Sequence, residues 1–395
     1  MTAVRVGIDG ASFGNRRGFG RFARSAVAKL IELDSATEYV FVVDRGDPAL
    51  ELLPGRATRV LVDLSERPAE AAGDASNRRP RDLLRIGRAA RRERFDAFLF
   101  PSLHTWFPRC GAPAVVGLHD TITSDHGALV ASRRRDGFLL RTKERLAVRG
   151  AAQLFTVSAA SRTALAKRLG IAPDRLPIVS EAPDLLFREA PVAETVLHAR
   201  ARASLAGDER FFLYVGGISP HKDVETLIDA YALAHRALDS PPRLVVAGAL
   251  DGDEAYVSSA ASVRDRIAAH GLGGRVVLPG FVPDDELAAL YAESVAVAIP
   301  SLAEGFGLPA VEAAAAGTAV VLSDLPAHRE SLGEAALFFR PGDAGRLAEH
   351  LELLGRDAAA RDAVAERCRA AVAPMTWDAA AERLRALIHG VTALA

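Results

Sequence analysis

The chain has 395 residues, 49% hydrophobic and 25% charged, which suits two or three globular domains and excludes a disordered chain, a collagen or a coiled coil. No run of 18 uncharged apolar residues exists to span a bilayer. The net charge of -1 hides a split: residues 1–190 hold 31 Lys+Arg against 22 Asp+Glu, and residues 191–395 hold 18 against 28. That asymmetry suggests a boundary near 190 and an anionic partner for the first half. The start, MTAVRVGIDG, lacks a basic stretch followed by an apolar one, so a cytoplasmic location is expected. Cys110 and Cys368 have no metal-type spacing and read as small buried hydrophobes.

Short runs rich in Val, Ile and Phe predict buried strands at 4–9, 39–43, 96–101, 114–120, 153–158 and 176–180. Helical spacing covers 19–33, 133–149 and 159–169, the last with Ser158 and Ser161 as candidate caps. Residues 183–210 carry Pro183, Pro191 and Gly207 and read as a linker with a short helix. The alternation then restarts, with strands at 211–216, 243–249, 275–280, 295–300, 318–323 and 336–339. Helices are expected near 223–237, 255–270, 284–292, 308–316, 343–354, 358–372 and 376–394. Two such blocks predict two parallel α/β sheets with helices on both faces. Ligands of these sheets bind beyond the strands' carboxyl ends, so a cleft between two domains is the expected site.

The sharpest motif is IPSLAEGFGLPAVEAAAAG, residues 299–317. A strand ends at Pro300, and the loop Glu304-Gly305-Phe306-Gly307 leads to Leu308 and Pro309, which suits a helix's first turn. Free N–H groups near 306–308 make a phosphate site, and Gly305 and Gly307 allow close approach. Glu304 falls in the loop and Glu312 about one turn into the helix, among apolar residues where a lone charge is costly. A carboxylate there suits vicinal sugar hydroxyls; the plain alternative is a cap and an internal ion pair.

In FFLYVGGISPHKDVETLIDAY, residues 211–231, a strand leads to Gly216-Gly217 and then Pro220-His221-Lys222. Lys222 is the only lysine after residue 190 in an arginine-rich chain, which points to a point-charge task such as holding a diphosphate. In AVVGLHDTIT, His119 and Asp120 end a first-half strand, where a His can donate to a substrate hydroxyl or stabilise charge. The loop 9–20 carries Gly14, Gly18, Phe19 and Gly20, with spacing wrong for a nicotinamide fingerprint. It is a candidate to lean over an acceptor. Asp251 and Asp253 match an acid-x-acid metal pattern but read as an ordinary acidic turn, so no metal ligand is assigned. Residues 78–94 hold eight arginines without interleaved aromatics. They suit a solvated helix, anionic lipid or a phosphorylated acceptor better than nucleic acid.

Together these residues resemble the retaining glycosyltransferases of family 4, which have the GT-B fold: two Rossmann-like parallel-sheet domains facing a central cleft. The resemblance rests on the Glu304/Glu312 signature, on VVLPGFVPDDEL, on RRGFGRF and on the His119-Asp120 pair. It implies an acceptor-binding domain at 1–190, a donor-binding domain at 191–375 and a final helix, 376–395, crossing back to the first. It also implies a hexosyltransferase working without a metal or other cofactor, and the Arg-rich, Ala-rich composition suggests a GC-rich bacterial genome. The co-substrate would be a nucleoside diphosphate sugar and the acceptor a hydroxyl; the basic first half and the arginines of 78–94 add the expectation of an anionic or membrane-associated acceptor at the inner face.

By the same resemblance, Glu312 holds ribose, Glu304 the transferred sugar and Lys222 the diphosphate. Gly216, Gly217 and the backbone of Gly305–Leu308 line the donor, His119 helps set the site, and Gly18, Phe19, Gly20 and Asp120 face the acceptor. One departure stands out: Gly217 occupies a place where many members have an arginine. A non-catalytic sugar-nucleotide-binding subunit and a GT-B-fold sugar-nucleotide epimerase are the alternatives. The base, sugar and acceptor identity, and the oligomeric state, are not legible.

Overall fold

The computed structural model describes residues 4–15, 18–65, 79–122, 134–248 and 254–393. They divide into two compact units: the described residues up to Glu181 together with the segment from Thr376, and Ala182–Met375.

The first unit holds a six-stranded parallel sheet in the order β3-β2-β1-β4-β5-β6. Its strands are β1 (Arg5–Asp9), β2 (Glu38–Asp44), β3 (Thr58–Val62), β4 (Ala97–Phe100), β5 (Ala114–Gly117) and β6 (Ala151–Phe155). The central strands are apolar because helices cover both faces, and β4 and β5 are buried at every position. Two sequence expectations change here. Residues 176–180 form no strand; they make one bridge, Thr156 to Ile178. Pro177 lends its carbonyl to Thr156 but has no N–H to extend a ladder. The sixth strand is instead β3, an edge strand whose Thr58 and Arg59 are exposed, so it lacks the apolar run that marks its neighbours.

The helices of this unit include α1 (Gly18–Phe22) and α2 (Ala28–Leu33), joined by a π turn at Ala23–Val27. The next, α3 (Pro80–Arg92), is the arginine-rich segment. It buries Asp82, Ile86 and Ala90 and exposes Arg81, Arg85 and Arg88. Asp82 receives hydrogen bonds from the Ser65 N–H and hydroxyl, which ties the helix start to the chain after β3. Then come α4 (Arg134–Gly150) and α5 (Ala159–Leu169), which Ser158 caps through the Ser161 N–H. The last helix of the chain packs in this unit, with Trp377 edge-on to Phe22 and Arg383 donating to the Ile178 carbonyl.

The second unit repeats the plan. Its sheet runs β12-β11-β10-β7-β8-β9. The strands are β7 (Phe211–Val215), β8 (Arg243–Ala247), β9 (Val276–Gly280), β10 (Ala296–Ile299), β11 (Val320–Ser323) and β12 (Leu337–Phe339). Counted from its own first strand, the order equals that of the first sheet. In each, the strand order reverses between the first and fourth strands, which places the ligand-accepting crevice there.

Helices α6 (Ala193–Arg202), α7 (Val224–Ala237), α8 (Glu254–Ala269), α9 (Asp284–Glu293) and α10 (Leu308–Ala315) follow the expected pattern. So do α12 (Ala344–Arg356), α13 (Ala358–Val372) and α14 (Trp377–Thr392). A short helix not expected from the sequence, α11 (Pro326–Leu332), follows β11. Among the described residues no helix is long and apolar enough to cross a membrane.

Candidate functional site

In the second unit the reversal point lies between β7 and β10, and the loops after both carry the motif residues. After β7 the chain turns through Gly216-Gly217, where the buried Tyr214 hydroxyl donates to the Gly217 carbonyl at 2.9 Å. Gly217 therefore offers backbone and no cation. The turn Pro220–Lys222 follows and is bound to the loop after β10, since Leu302 N–H donates to the His221 carbonyl at 2.7 Å. That loop is held from its other side by the Ser323 hydroxyl on the Ser301 carbonyl, 2.6 Å.

This bracing brings Lys222 and Glu304 together. Lys222 Nζ donates to Glu304 Oε1 at 2.6 Å, and the Ser301 hydroxyl donates to the same oxygen at 2.7 Å. The side chains are 18% and 8% exposed. Burial alone would raise the Glu304 pKa; Lys222, His328 and Ser301 overcome it and hold the carboxyl at about 2. The sequence reading gave these residues separate duties, and the structure pairs them. An ammonium has three N–H donors, so one bond to Glu304 leaves Lys222 able to reach an anion as well.

Beyond Glu304 the loop passes Gly305 and Phe306 to Gly307, the residue before α10, which has φ 93°. A β-carbon there would lie 2.9 Å from His328 Cδ2, so both the conformation and the space demand glycine. In the first turn of α10, Ala310 and Val311 donate to the Gly307 carbonyl and Pro309 has no N–H, so Leu308 is the helix residue whose N–H lacks an earlier helical carbonyl. Glu312, 2% exposed, lies further along this helix, and its Oε2 accepts from the Tyr291 hydroxyl of α9 at 3.2 Å. Tyr291 in turn meets Phe187 edge-on.

In the first unit the described part of the loop after β1, up to Asn15, is pinned. Arg24 Nη1 donates to the carbonyls of Phe13 and Asn15, each at 2.7 Å. A β-carbon on Gly20 would fall 1.9 Å from the Asn15 oxygen, so Gly20 is a packing requirement. Helix α1 begins at Gly18, and Phe19 stacks on His104 with centroids 5.1 Å apart. Phe19 and Phe22 both meet His119 edge-on. His119 Nε2 lies 2.9 Å from the Pro101 carbonyl, and Nδ1 lies 3.5 Å from the buried Glu181 carboxylate. Burial pushes its pKa down, while Glu181, Pro101 and Asp120 push it up; the net direction is upward. Both ring nitrogens thus face protein acceptors, which fixes the orientation of the ring and favours its protonated form. Asp120 Oδ1 accepts from Ile122 N–H at 2.8 Å.

The sequence did not point to Glu181, Ser301, Tyr291 or His328. For His328 a signal existed: a histidine just past Pro326, a few residues beyond the carboxyl end of a predicted strand. Asp251 and Asp253 lie outside the described residues.

Two family models match the chain. One described as Glycosyltransferase Family 4 matches residues 18–185, and one described as Glycosyl transferases group 1 matches residues 198–371. The D-inositol 3-phosphate glycosyltransferase of Frankia alni is 32% identical, over 72% of this chain and 70% of its own.

The chain belongs to glycosyltransferase family 4.

This family 4 glycosyltransferase is also similar to O-antigen chain mannosyltransferase B of Escherichia coli, at 28% identity over 42% of each chain. Among solved structures, sucrose-phosphate synthase from Thermosynechococcus elongatus superposes with TM-score 0.77 at 19% identity, covering 100% of both chains. HepE of Anabaena, solved with UDP-glucose, gives 0.73 at 18% identity, covering 98% of this chain and 99% of its own. These likenesses carry the fold, GT-B, with its two parallel six-stranded sheets.

Proposed function

We propose that the protein moves a hexose from a nucleoside diphosphate sugar to a hydroxyl acceptor with retention at the anomeric carbon, and without a metal. The observation that carries this reading is the Lys222–Glu304 pair beside the N-terminus of α10 at the reversal point of the second sheet. A half-buried cation and a helix N-terminus together suit an anion whose charge grows as it leaves. The anomeric carbon–phosphate oxygen bond breaks as the acceptor oxygen bonds to the same face, and the hydroxyl proton passes to the departing phosphate. Lys222 and the α10 N–H groups stabilise that diphosphate. Glu304 orients Lys222 and reaches the sugar, and Glu312 reaches the ribose. The first unit takes the acceptor, with His119, held by Glu181 and the Pro101 carbonyl, helping to set the site beside Phe19 and Asp120.

The exposed arginines of α3 favour an anionic or membrane-associated acceptor. Arg79, Arg81 and Arg85 line a cavity of about 480 Å³ with Ser65. Binding to anionic vesicles that weakens with salt supports this; equal binding to neutral and anionic vesicles contradicts it.

The test of the donor reading is a thermal-shift screen against nucleoside diphosphates, followed by turnover of the matching nucleotide sugars without acceptor. At about 100-fold over its dissociation constant the right diphosphate adds about 2.7 kcal/mol. Slow release of nucleoside diphosphate supports a transferase. Interconversion of donors identifies an epimerase, and binding without turnover a non-catalytic subunit.

A further inference from the structure

His328 stands in α11, just beyond β11, and is fully buried. Its Nδ1 lies 2.8 Å from the Ser323 carbonyl, so this nitrogen carries a hydrogen and donates. In the neutral ring Nε2 is then a lone-pair acceptor. Nε2 is buried with no hydrogen-bond partner among the described residues. A buried polar atom left this way is costly unless a ligand satisfies it.

The direction in which that nitrogen looks is given by Gly307: a β-carbon there would lie 3.3 Å from Nε2. The open edge of the ring therefore faces the backbone where α10 begins, the same point that the helix dipole makes favourable for anions. The charged groups that act on the ring are Glu304 from the loop after β10, Lys222 from the turn before α7, and Asp324 after β11. Burial and Lys222 favour the neutral ring, Glu304 and Asp324 the cation; burial prevails and the pKa lies below the ordinary histidine value. A diphosphate at the α10 N-terminus reverses that balance. Its oxygens have no hydrogen to offer a bare Nε2, so contact requires a proton on that nitrogen.

We propose that His328 is a phosphate-binding residue of the donor site, which takes one proton from solvent as the diphosphate binds and donates it from Nε2 to a phosphate oxygen. The proposal rests on the reading that this pocket takes a nucleoside diphosphate sugar. It gives the leaving group a second side-chain cation in a chain whose Gly217 supplies none.

The experiment is calorimetric titration of UDP and of GDP into the full-length protein at pH 7.5, in buffers of different ionisation heat, which counts protons taken up. Wild type is expected to take up about one proton with the diphosphate that binds. His328→Asn keeps a donor for the Ser323 carbonyl and lacks Nε2. It should lose the uptake and bind about tenfold more weakly, the size of one charge-assisted hydrogen bond. His328→Gln should recover part of the affinity but none of the uptake, which also guards against a variant that fails to fold. Binding to wild type without proton uptake, or unchanged uptake and affinity in His328→Asn, overturns the assignment while the donor reading stands. If neither diphosphate binds wild type, the donor reading and the assignment fall together.

Discussion

Lys222→Met is the most informative single change, because it removes the cation and keeps the stem. Glu304 then remains 8% exposed with its charge and without its partner. Breaking a buried ion pair from one side costs about 3–5 kcal/mol. The 18% exposure of Lys222 places this case near the lower end. Burial raises the Glu304 pKa and Lys222 is the largest of the influences that hold it down, so without the ammonium the charge keeps only His328 and Ser301 against burial. Lys222→Met should therefore lose about 3 kcal/mol in urea unfolding of the second unit at pH 7. The double variant Lys222→Met/Glu304→Gln, which buries no charge, should recover most of it. Because the folded carboxyl titrates below the unfolded one, the stabilisation is complete above pH 4.5 and fades as pH falls toward 2. A loss under about 1 kcal/mol in the single variant, or a double variant as unstable as the single, would refute this reasoning.

Further outcomes follow from the same geometry. Gly307→Ala forces a β-carbon toward His328 at φ 93° and should cost about 1–3 kcal/mol with weaker diphosphate binding; a wild-type melting temperature contradicts it. Glu312→Gln should mainly raise the Michaelis constant for the donor, whereas Glu304→Gln should mainly lower turnover; steady-state kinetics beside diphosphate titration separates them, and the reverse pattern sinks the assignment. Transfer should survive excess chelator, and loss restored by Mn²⁺ would make Asp251 and Asp253 ligands.

What was legible in the sequence is what short-range spacing encodes. Loop, Pro309 and helix stand within a dozen residues of one another, so the Glu304–Glu312 motif could be read with its secondary structure. The Lys222–Glu304 bond spans 82 positions and depends on how the turn before α7 meets the loop after β10, which no local pattern carries. The strand end that carries His119 is visible in the sequence, whereas its partners Glu181 and the Pro101 carbonyl arrive from distant segments that no local pattern links to it. Strand β3 hid because an exposed edge needs no apolar run, and 176–180 misled because an apolar run with Pro177 cannot extend a ladder. His328 belongs to a helix too short to announce itself by periodicity.

The central claim is that the Lys222–Glu304 pocket cleaves a nucleoside diphosphate sugar with retention. It is tested most directly by following, by proton NMR, the anomer first released when α-linked UDP- and GDP-hexoses are incubated with excess protein and no acceptor. Release of the α-anomer with the matching nucleoside diphosphate is expected, reduced about 30-fold or more in Lys222→Met after correction for the folded fraction. Initial release of the β-anomer, or undiminished release from Lys222→Met, would contradict it.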